Sequence, residues 1–351
     1  MDRARVALVA GATGVIGRAI SARLVEDGWS VVCASRSGND AIPGARCVAV
    51  DFLDGHDCVD KLSVAGPFTH VFYAAYLLAG NRSEEVEPNR AMLVNVVNAV
   101  AGSSPTLHKV VLVTGSKFYG IHLGASKTPA KETDPRQLPP NFYYDQEDFL
   151  RATQKGTSWS WCNLIPPFVT GFAIGNPMNL VMAIGAYCAL TKELGLPLRF
   201  PGTLRAFDAL NQIADARQIA SAAAWAAMDS AADNEAFNVA NGDPSRWRNL
   251  WPPIATHFGL EPADPKAIPL PDLMASNEPL WQRIVERNDL RPSRLTGLVN
   301  WSWANYMLTM EHDVVLEIGK IRRAGFHDCI DTESTFVERL RELQTQRLLP
   351  T

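Results

Sequence analysis

Apolar residues along the first half of this chain fall into short blocks of two kinds, and the two alternate. Residues 5–10 read R-V-A-L-V-A and run into a glycine, the pattern of a strand buried on both faces of a parallel sheet. Val15–Glu26 then takes helical spacing, with Ile16, Ile20, Leu24 and Val25 on one face. Residues 30–34, 46–50, 69–74 and 108–114 predict four more strands, and 158–165 a sixth that stops at Pro166-Pro167. Residues 58–64, 90–101 and 143–153 predict helices between them. Strands that alternate with helices predict an α/β fold on a doubly wound parallel sheet with right-handed crossovers. Residues 121–140 form a polar loop with Pro129, Pro135, Pro139 and Pro140, and a loop that long inside a domain points to function. Beyond Gly171 the pattern loosens and Pro, Trp and Met become frequent. Residues 215–228 predict an alanine-rich helix, 237–240 a short strand that rejoins the sheet, and Asn241-Gly242-Asp243 a turn. Helices are expected at 247–258, 279–287, 305–324 and 334–347. The expected organisation is a cofactor domain over 1–170, with 206–243 returning to it. A smaller, mostly helical substrate-binding domain would take 171–205 and 244–351.

The junction of the first strand and first helix carries Gly11-Ala12-Thr13-Gly14-Val15-Ile16-Gly17, a G-x-x-G-x-x-G loop. Gly11 permits the tight turn, Gly14 lets a pyrophosphate approach the backbone, and Gly17 lets the helix pack on the sheet. Free N–H groups of the first helical turn, from Val15 and Ile16 onward, would then face the phosphates beside Thr13. A glycine pattern alone is weak; its place inside a βαβ unit makes it a Rossmann-type dinucleotide site. After the second strand the chain has Ser35-Arg36-Ser37 and no acid until Asp40. A carboxylate there would hold a ribose 2′-hydroxyl, whereas the Arg36 guanidinium pairs with a 2′-phosphate, and Ser35 and Ser37 add hydrogen bonds. NADPH/NADP+ is therefore the expected cofactor. Asp51 and Phe52 would flank the adenine, with a turn cap as the competing role for Asp51. Ala74, Thr114, Gly115, Pro166 and Val169, at the ends of later strands, complete the expected cofactor set.

Composition narrows the class. The 351 residues are 47% hydrophobic and 20% charged with a net charge of −4, which suits a globular protein and offers no basic footprint for nucleic acid. The six cysteines, Cys33, Cys47, Cys58, Cys162, Cys188 and Cys329, are scattered without a C-x-x-C and read as buried reduced thiols of a cytoplasmic protein. Met1-Asp2-Arg3 leads directly into the first strand, so no signal peptide is expected. The longest apolar run, 180–190, is too short to cross a bilayer. No membrane partner is expected. The histidines show no metal spacing, no metal is expected, and surface or capping roles are assigned to them.

Chemistry concentrates in Thr114-Gly115-Ser116-Lys117-Phe118-Tyr119-Gly120 and Asn141-Phe142-Tyr143-Tyr144-Asp145. Lys117 follows the fifth strand at its carboxyl end, where sheets of this kind bind ligands. A tyrosine at the start of the next helix can face the same crevice. A cationic lysine would lower the phenol pKa from its reference near 10, and a preorganised phenol stabilises charge growing on a carbonyl oxygen. Spacing alone does not separate that role from simple packing for Tyr143 or Tyr144.

These two motifs resemble the hallmarks of the progesterone 5β-reductase/iridoid synthase-like family, an atypical branch of the extended short-chain dehydrogenases. The ordinary short-chain enzyme carries Tyr-x-x-x-Lys on one helix, whereas Glu147 and Asp148 stand four residues after Tyr143 and Tyr144. The likeness continues at residues 69–73, 81–83, 171–172, 178–180 and 198–200, and through 234–243, so it covers nearly the whole chain. By that resemblance Lys117 and Tyr143 are catalytic, with Tyr144 as the fallback. The reaction implied is NADPH-dependent 1,4-reduction of activated enones or enals, 3-keto-Δ4 steroids included, with hydride to the β-carbon and Tyr143 and Lys117 stabilising the enolate. The partner is then a small apolar enone, enal or steroid-like molecule. Homodimers are common in that superfamily, and a homodimer is left open here. Three positions depart from the family pattern: the loop between Lys117 and Tyr143 is shorter than in the plant enzymes, Ile165 replaces an arginine, and Pro167-Phe168 replaces Gly-Asn.

Tyr76, Phe118, Phe168, Phe172, Met178 and Phe207 are the candidate pocket residues, since an aromatic wall suits a flat apolar enone. Glu147 and Asp148 are assigned to the helix dipole. Two other functions stay open. A carbonyl reductase or epimerase on the same fold is opposed by the missing Tyr-x-x-x-Lys. A non-catalytic NADP(H) sensor is opposed by the retention of Lys117 and a candidate tyrosine.

Overall fold

The computed structural model describes residues 5–38 and 42–351. Contacts divide the chain into two units: Met1–Pro167 with Ala216–Ala240 and Leu316–Asp328, and Phe168–Asp215 with Asn241–Val315 and Cys329–Thr351.

In chain order the elements that matter here are β1 (Val6–Ala10), α1 (Val15–Glu26), β2 (Ser30–Ser35), β3 (Arg46–Ala49), α2 (Gly55–Ala65), β4 (His70–Tyr73), α3 (Arg82–Ser103), β5 (Lys109–Val113), α4 (Phe142–Thr153), β6 (Ser160–Ile165), β7 (Phe168–Thr170), α5 (Leu180–Glu193), β8 (Leu198–Arg199), α6 (Leu204–Asp208), β9 (Leu210–Asp215), α7 (Ala216–Met228), β10 (Glu235–Asn238) and β11 (Pro244–Arg246). The first unit is built on a seven-stranded sheet in the order β10-β6-β5-β4-β1-β2-β3. Every neighbouring pair in it is parallel. The strands read as apolar runs because both faces are covered: β1, β4 and β5 are buried almost throughout. Strand order reverses between β1 and β4, so the carboxyl ends of those strands open the crevice in which such sheets take ligands. This is the Rossmann-type sheet that alternation of strand and helix predicts.

Three departures from expectation have physical causes. Helix α3 starts at Arg82, eight residues before its apolar spacing begins, because Asn81 caps it on the Glu84 amide and the first turns are polar. The expected helix over 305–324 is broken into Trp301–Leu308 and Gly319–Arg323. Between them Val314 bridges Asn211 and Leu316 bridges Ala130, so sheet-like pairing overrides helical propensity. His70 is a core residue rather than a surface one. Its ring meets Trp29 edge-on at 4.8 Å and hydrogen-bonds Thr69 and the Ala227 carbonyl, and burial pulls its pKa down to about 4. Of the six cysteines, Cys33, Cys58, Cys162 and Cys188 are buried, Cys47 is half-buried and Cys329 is exposed.

In the second unit β7, β9 and β11 form a small sheet. Helix α5 is buried from Leu180 to Thr191, and Gly185 lets Leu349 approach: a Cβ there would lie 2.2 Å from the leucine Cδ1. No helix among the described residues is long and apolar enough to cross a membrane.

Candidate active site

At the end of β1 the backbone turns through Gly11, whose φ of +81° suits glycine and whose Cβ would strike the Ala75 backbone at 2.7 Å. Gly17 faces the same turn, and a Cβ on it would lie 2.2 Å from the Gly11 carbonyl oxygen. Gly14 is the N-cap of α1 and brings no capping side chain, so the N–H groups of Val15, Ile16 and Gly17 are left for a ligand. Thr13 is half-buried beside them. This cradle, which any side chain would fill, fits the pyrophosphate of a dinucleotide. Arg36 follows β2, exposed and without an ion pair among the described residues. Ser35 is buried, accepts the Gly38 amide and lies 3.5 Å from the Ser37 hydroxyl. Asp40 lies outside the described residues.

The remaining cofactor candidates divide. The Asp51 carboxylate accepts the Leu53 amide at 3.0 Å, a turn cap, and Phe52 is buried in the core under the sheet. Ala74 is tied to β1 by its amide, and Ser116 N–H donates to the Pro166 carbonyl. Thr114 is buried and its hydroxyl donates to Asn163 Oδ1 at 2.9 Å. Val169 belongs to β7 in the second unit.

After β5 a short 3-10 turn, Ser116–Tyr119, carries Lys117, and α4 begins at Phe142. Asn141 ties the two together. Its Oδ1 accepts the Tyr143 amide at 3.2 Å, while its Nδ2 donates to the Lys117 carbonyl at 2.9 Å. An asparagine just before a helical run is a helix N-cap signal, and here the cap also reaches the Lys117 turn. Tyr143 points at Gly115: a Cβ on that glycine would sit 3.3 Å from the tyrosine hydroxyl. The Tyr143 hydroxyl makes no hydrogen bond among the described residues, and neither does the Lys117 ammonium. Tyr144 differs. Its hydroxyl is buried, donates to the Phe118 carbonyl at 2.6 Å and accepts the Gln137 amide at 2.9 Å. Phe118 is buried against it, edge-on at 5.0 Å.

Protonation is set by burial. Desolvation pulls the Lys117 ammonium below the ordinary lysine range; the Glu85 carboxylate opposes that pull and Arg82 adds to it. Desolvation, with Glu85 next, pushes the Tyr143 phenol well above its ordinary value. Lys117 was expected to lower that value, and the opposite holds: at neutral pH Tyr143 is a neutral phenol, able to donate a hydrogen bond.

Sequence reading missed Glu85. It sits buried on α3 and accepts a hydrogen bond from the Tyr76 hydroxyl. The Tyr76 ring stacks on Phe142 at 5.6 Å, and the Lys117 ammonium lies 5.9 Å from its centroid. The other pocket candidates lie in the second unit: Phe168 buried in β7, Phe172 and Met178 half-buried, and Phe207 packed on Phe200 at 5.1 Å.

Glu147, where the ordinary motif has lysine, is not a dipole residue. It is 3% exposed. Its Oε2 accepts from Asn163 Nδ2 at 2.8 Å, and its Oε1 pairs with Arg151 at 2.9 Å and Arg136 at 3.4 Å. With Thr114 at the other end of Asn163, this chain pins α4 to the end of β5 through β6.

A family model described as the PRISE-like Rossmann-fold domain matches residues 56–350. The chain is similar to an (S)-8-oxocitronellyl enol synthase of Nepeta racemosa, 34% identical over 366 residues that cover 98% of this chain and 93% of that protein. It is similar also to a 3-oxo-Δ(4,5)-steroid 5β-reductase of Arabidopsis thaliana, 31% identical over 98% of this chain and 93% of that one. Among solved structures, the UDP-glucose 4-epimerase of Thermus thermophilus in complex with NAD superposes with a TM-score of 0.67 at 20% identity, covering 96% of this chain and 99% of that chain, a likeness of fold.

Proposed function

We propose that this chain, which belongs to the PRISE-like Rossmann-fold family, is an NADPH-dependent reductase of carbon–carbon double bonds conjugated to a carbonyl. One observation carries the reading: a neutral phenol, Tyr143, is tied through Asn141 to the turn bearing the Lys117 ammonium, and neither group has a hydrogen-bond partner among the described residues. The relatives named as an enol synthase and a steroid 5β-reductase support an oxidoreductase acting on such substrates.

The residues that would hold the cofactor are the Gly11–Gly17 loop for the pyrophosphate and Arg36, with Ser35 and Ser37, for a 2′-phosphate. When bound, the nicotinamide supplies the hydride for the β-carbon of the enone. Tyr143 donates its hydroxyl hydrogen bond to the carbonyl oxygen, where charge grows as the enolate forms. Lys117, a cation without a hydrogen-bond partner among the described residues, favours that negative charge electrostatically and keeps the phenol oriented. Protonation of the α-carbon then falls to solvent. The candidates for an apolar wall are those the sequence offers, Tyr76, Phe118, Phe168, Phe172, Met178 and Phe207. The preferred substrate is a small apolar enone, enal or steroid-like molecule, and the compartment proposed is the cytoplasm.

The test is NADPH consumption with small cyclic enones, a steroid enone and an enal, with identification of the products. Saturated ketone or aldehyde products support the reading. Turnover of saturated aldehydes without any enone would favour a carbonyl reductase. NADPH binding with no turnover across the panel would favour a sensor. Arg36→Ala should weaken NADPH binding about 10- to 100-fold, the loss of a charge-assisted contact worth about 1.5–3 kcal/mol, and leave NADH unchanged. Fluorescence titration reads both; a wild-type preference for NADH would sink the role of Arg36.

A further inference from the structure

Among the described residues Glu85 is the carboxylate that acts on both Lys117 and Tyr143, and nothing in the proposed chemistry uses it. It is 6% exposed, an unusual position for an acid without a cationic hydrogen-bond partner. Its Oε1 accepts the Tyr76 hydroxyl. Both ends of that contact are held in place. Asn89, fully buried one turn along α3, donates to the Glu85 carbonyl at 2.8 Å and to the Leu77 carbonyl at 2.8 Å, and its Oδ1 accepts the Leu77 amide at 2.8 Å. The neighbour of Tyr76 and the helix turn of Glu85 are thus clamped by one amide. The Tyr76 ring is fixed from its other side by Phe142, the residue before Tyr143. Its face lies toward the Lys117 ammonium, 5.9 Å from the centroid, within range of a cation–π attraction.

We propose that Glu85, through the Tyr76 ring it clasps, is a positioning residue of this site: it fixes where the Lys117 ammonium lies and supplies the negative charge that keeps it a cation. The proposal rests on the reading of Lys117 and Tyr143 as the reactive pair. Among the described residues the charged and titratable groups around Lys117 are Glu85 and Arg82 from α3, Tyr76 from the segment before α3 and His122 from the loop after the 3-10 turn, with Tyr143 of α4 tied to the Lys117 turn through Asn141. His122 is held down to about 4 by burial, then by Arg82 and Lys117, so it is neutral above that pH. Burial raises both phenols, Tyr76 and Tyr143, so they stay neutral where lysine titrates. Glu85 is therefore the group whose charge offsets the desolvation of Lys117. The same carboxylate disfavours ionisation of Tyr143, so one acid holds the cation–phenol combination that an oxyanion needs.

The sign follows from the charges. A lysine loses its cation as pH rises through its pKa, and removal of a nearby negative charge brings that loss to lower pH. Competitive acetylation across pH, read by mass spectrometry on the peptide containing Lys117, reports the titration of that amine without any turnover. In Glu85→Gln, which keeps the shape and an acceptor for Tyr76, the Lys117 midpoint should move to lower pH, with several-fold faster acetylation at a fixed pH below it. Glu85→Asp, which retains the charge but withdraws it by one methylene, should restore part of the shift. It also serves should Glu85→Gln fail to fold. With an enone substrate, the alkaline limb of kcat should move down together with the acetylation midpoint. An unmoved midpoint in Glu85→Gln, or in Glu85→Asp if that alone folds, would overturn the proposal. A midpoint that moves while no enone turns over would retain Glu85 as the counter-charge of Lys117 and remove the enone-reductase reading instead.

Discussion

Tyr143→Phe should cut kcat for enone reduction by about 10²- to 10³-fold, the cost of one preorganised donor to a developing oxyanion. Folding and NADPH affinity should hold, because the hydroxyl removed has no hydrogen-bond partner among the described residues and its ring contacts with Phe142 remain. Tyr144→Phe should do the reverse. It deletes a hydroxyl that joins the Phe118 carbonyl to the Gln137 amide and leaves both groups unpaired. The expected cost is about 1–3 kcal/mol of stability with kcat within a few-fold of wild type. Steady-state kinetics with thermal melts of both variants separates the roles. If Tyr144→Phe alone lost turnover while remaining folded, the assignment of the phenol would be wrong.

Glu147→Lys restores the spacing Tyr-x-x-x-Lys of the ordinary short-chain enzyme, yet it should not yield one. The new ammonium would replace a buried carboxylate between the Arg136 and Arg151 guanidiniums and leave the Asn163 amide without its acceptor. A buried charge that loses its partner costs about 3–5 kcal/mol, a large share of a stability of roughly 5–15 kcal/mol. Urea unfolding should show a much earlier midpoint or no folded protein. A variant as stable as wild type would mean that the Glu147–Asn163–Thr114 chain does not pin α4. Measurement should include Glu147→Gln, which keeps an acceptor for Asn163 and should be milder.

What the chain discloses on first reading follows the range of each interaction. The phosphate loop is legible because Gly11 and Gly17 answer to local geometry, a left-handed φ and a close approach within seven residues. The sheet is legible because two-sided burial imposes unbroken apolar strands. The choice between Tyr143 and Tyr144 is not, since adjacent helical residues point in directions that only packing distinguishes. Glu85 reads as one more acid in a polar stretch, Glu84-Glu85-Val86-Glu87, until the fold folds it back on Tyr76. Glu147 looks like a dipole residue because two of its three partners, Asn163 and Arg136, are distant in sequence or hidden in a proline-rich loop. The break at 309–318 likewise comes from pairing with residues far away.

Asn141 has a consequence for variation. Because its side chain holds the Lys117 carbonyl at one end and the Tyr143 amide at the other, the span from Gly120 to Pro140 is stapled shut at its base. Whatever length that span takes, the lysine and the phenol keep their separation, as the two jaws of a clasp do when the strap between them is lengthened. Insertions or deletions in that span would therefore leave the Lys117 carbonyl and the Tyr143 amide joined through the same side chain.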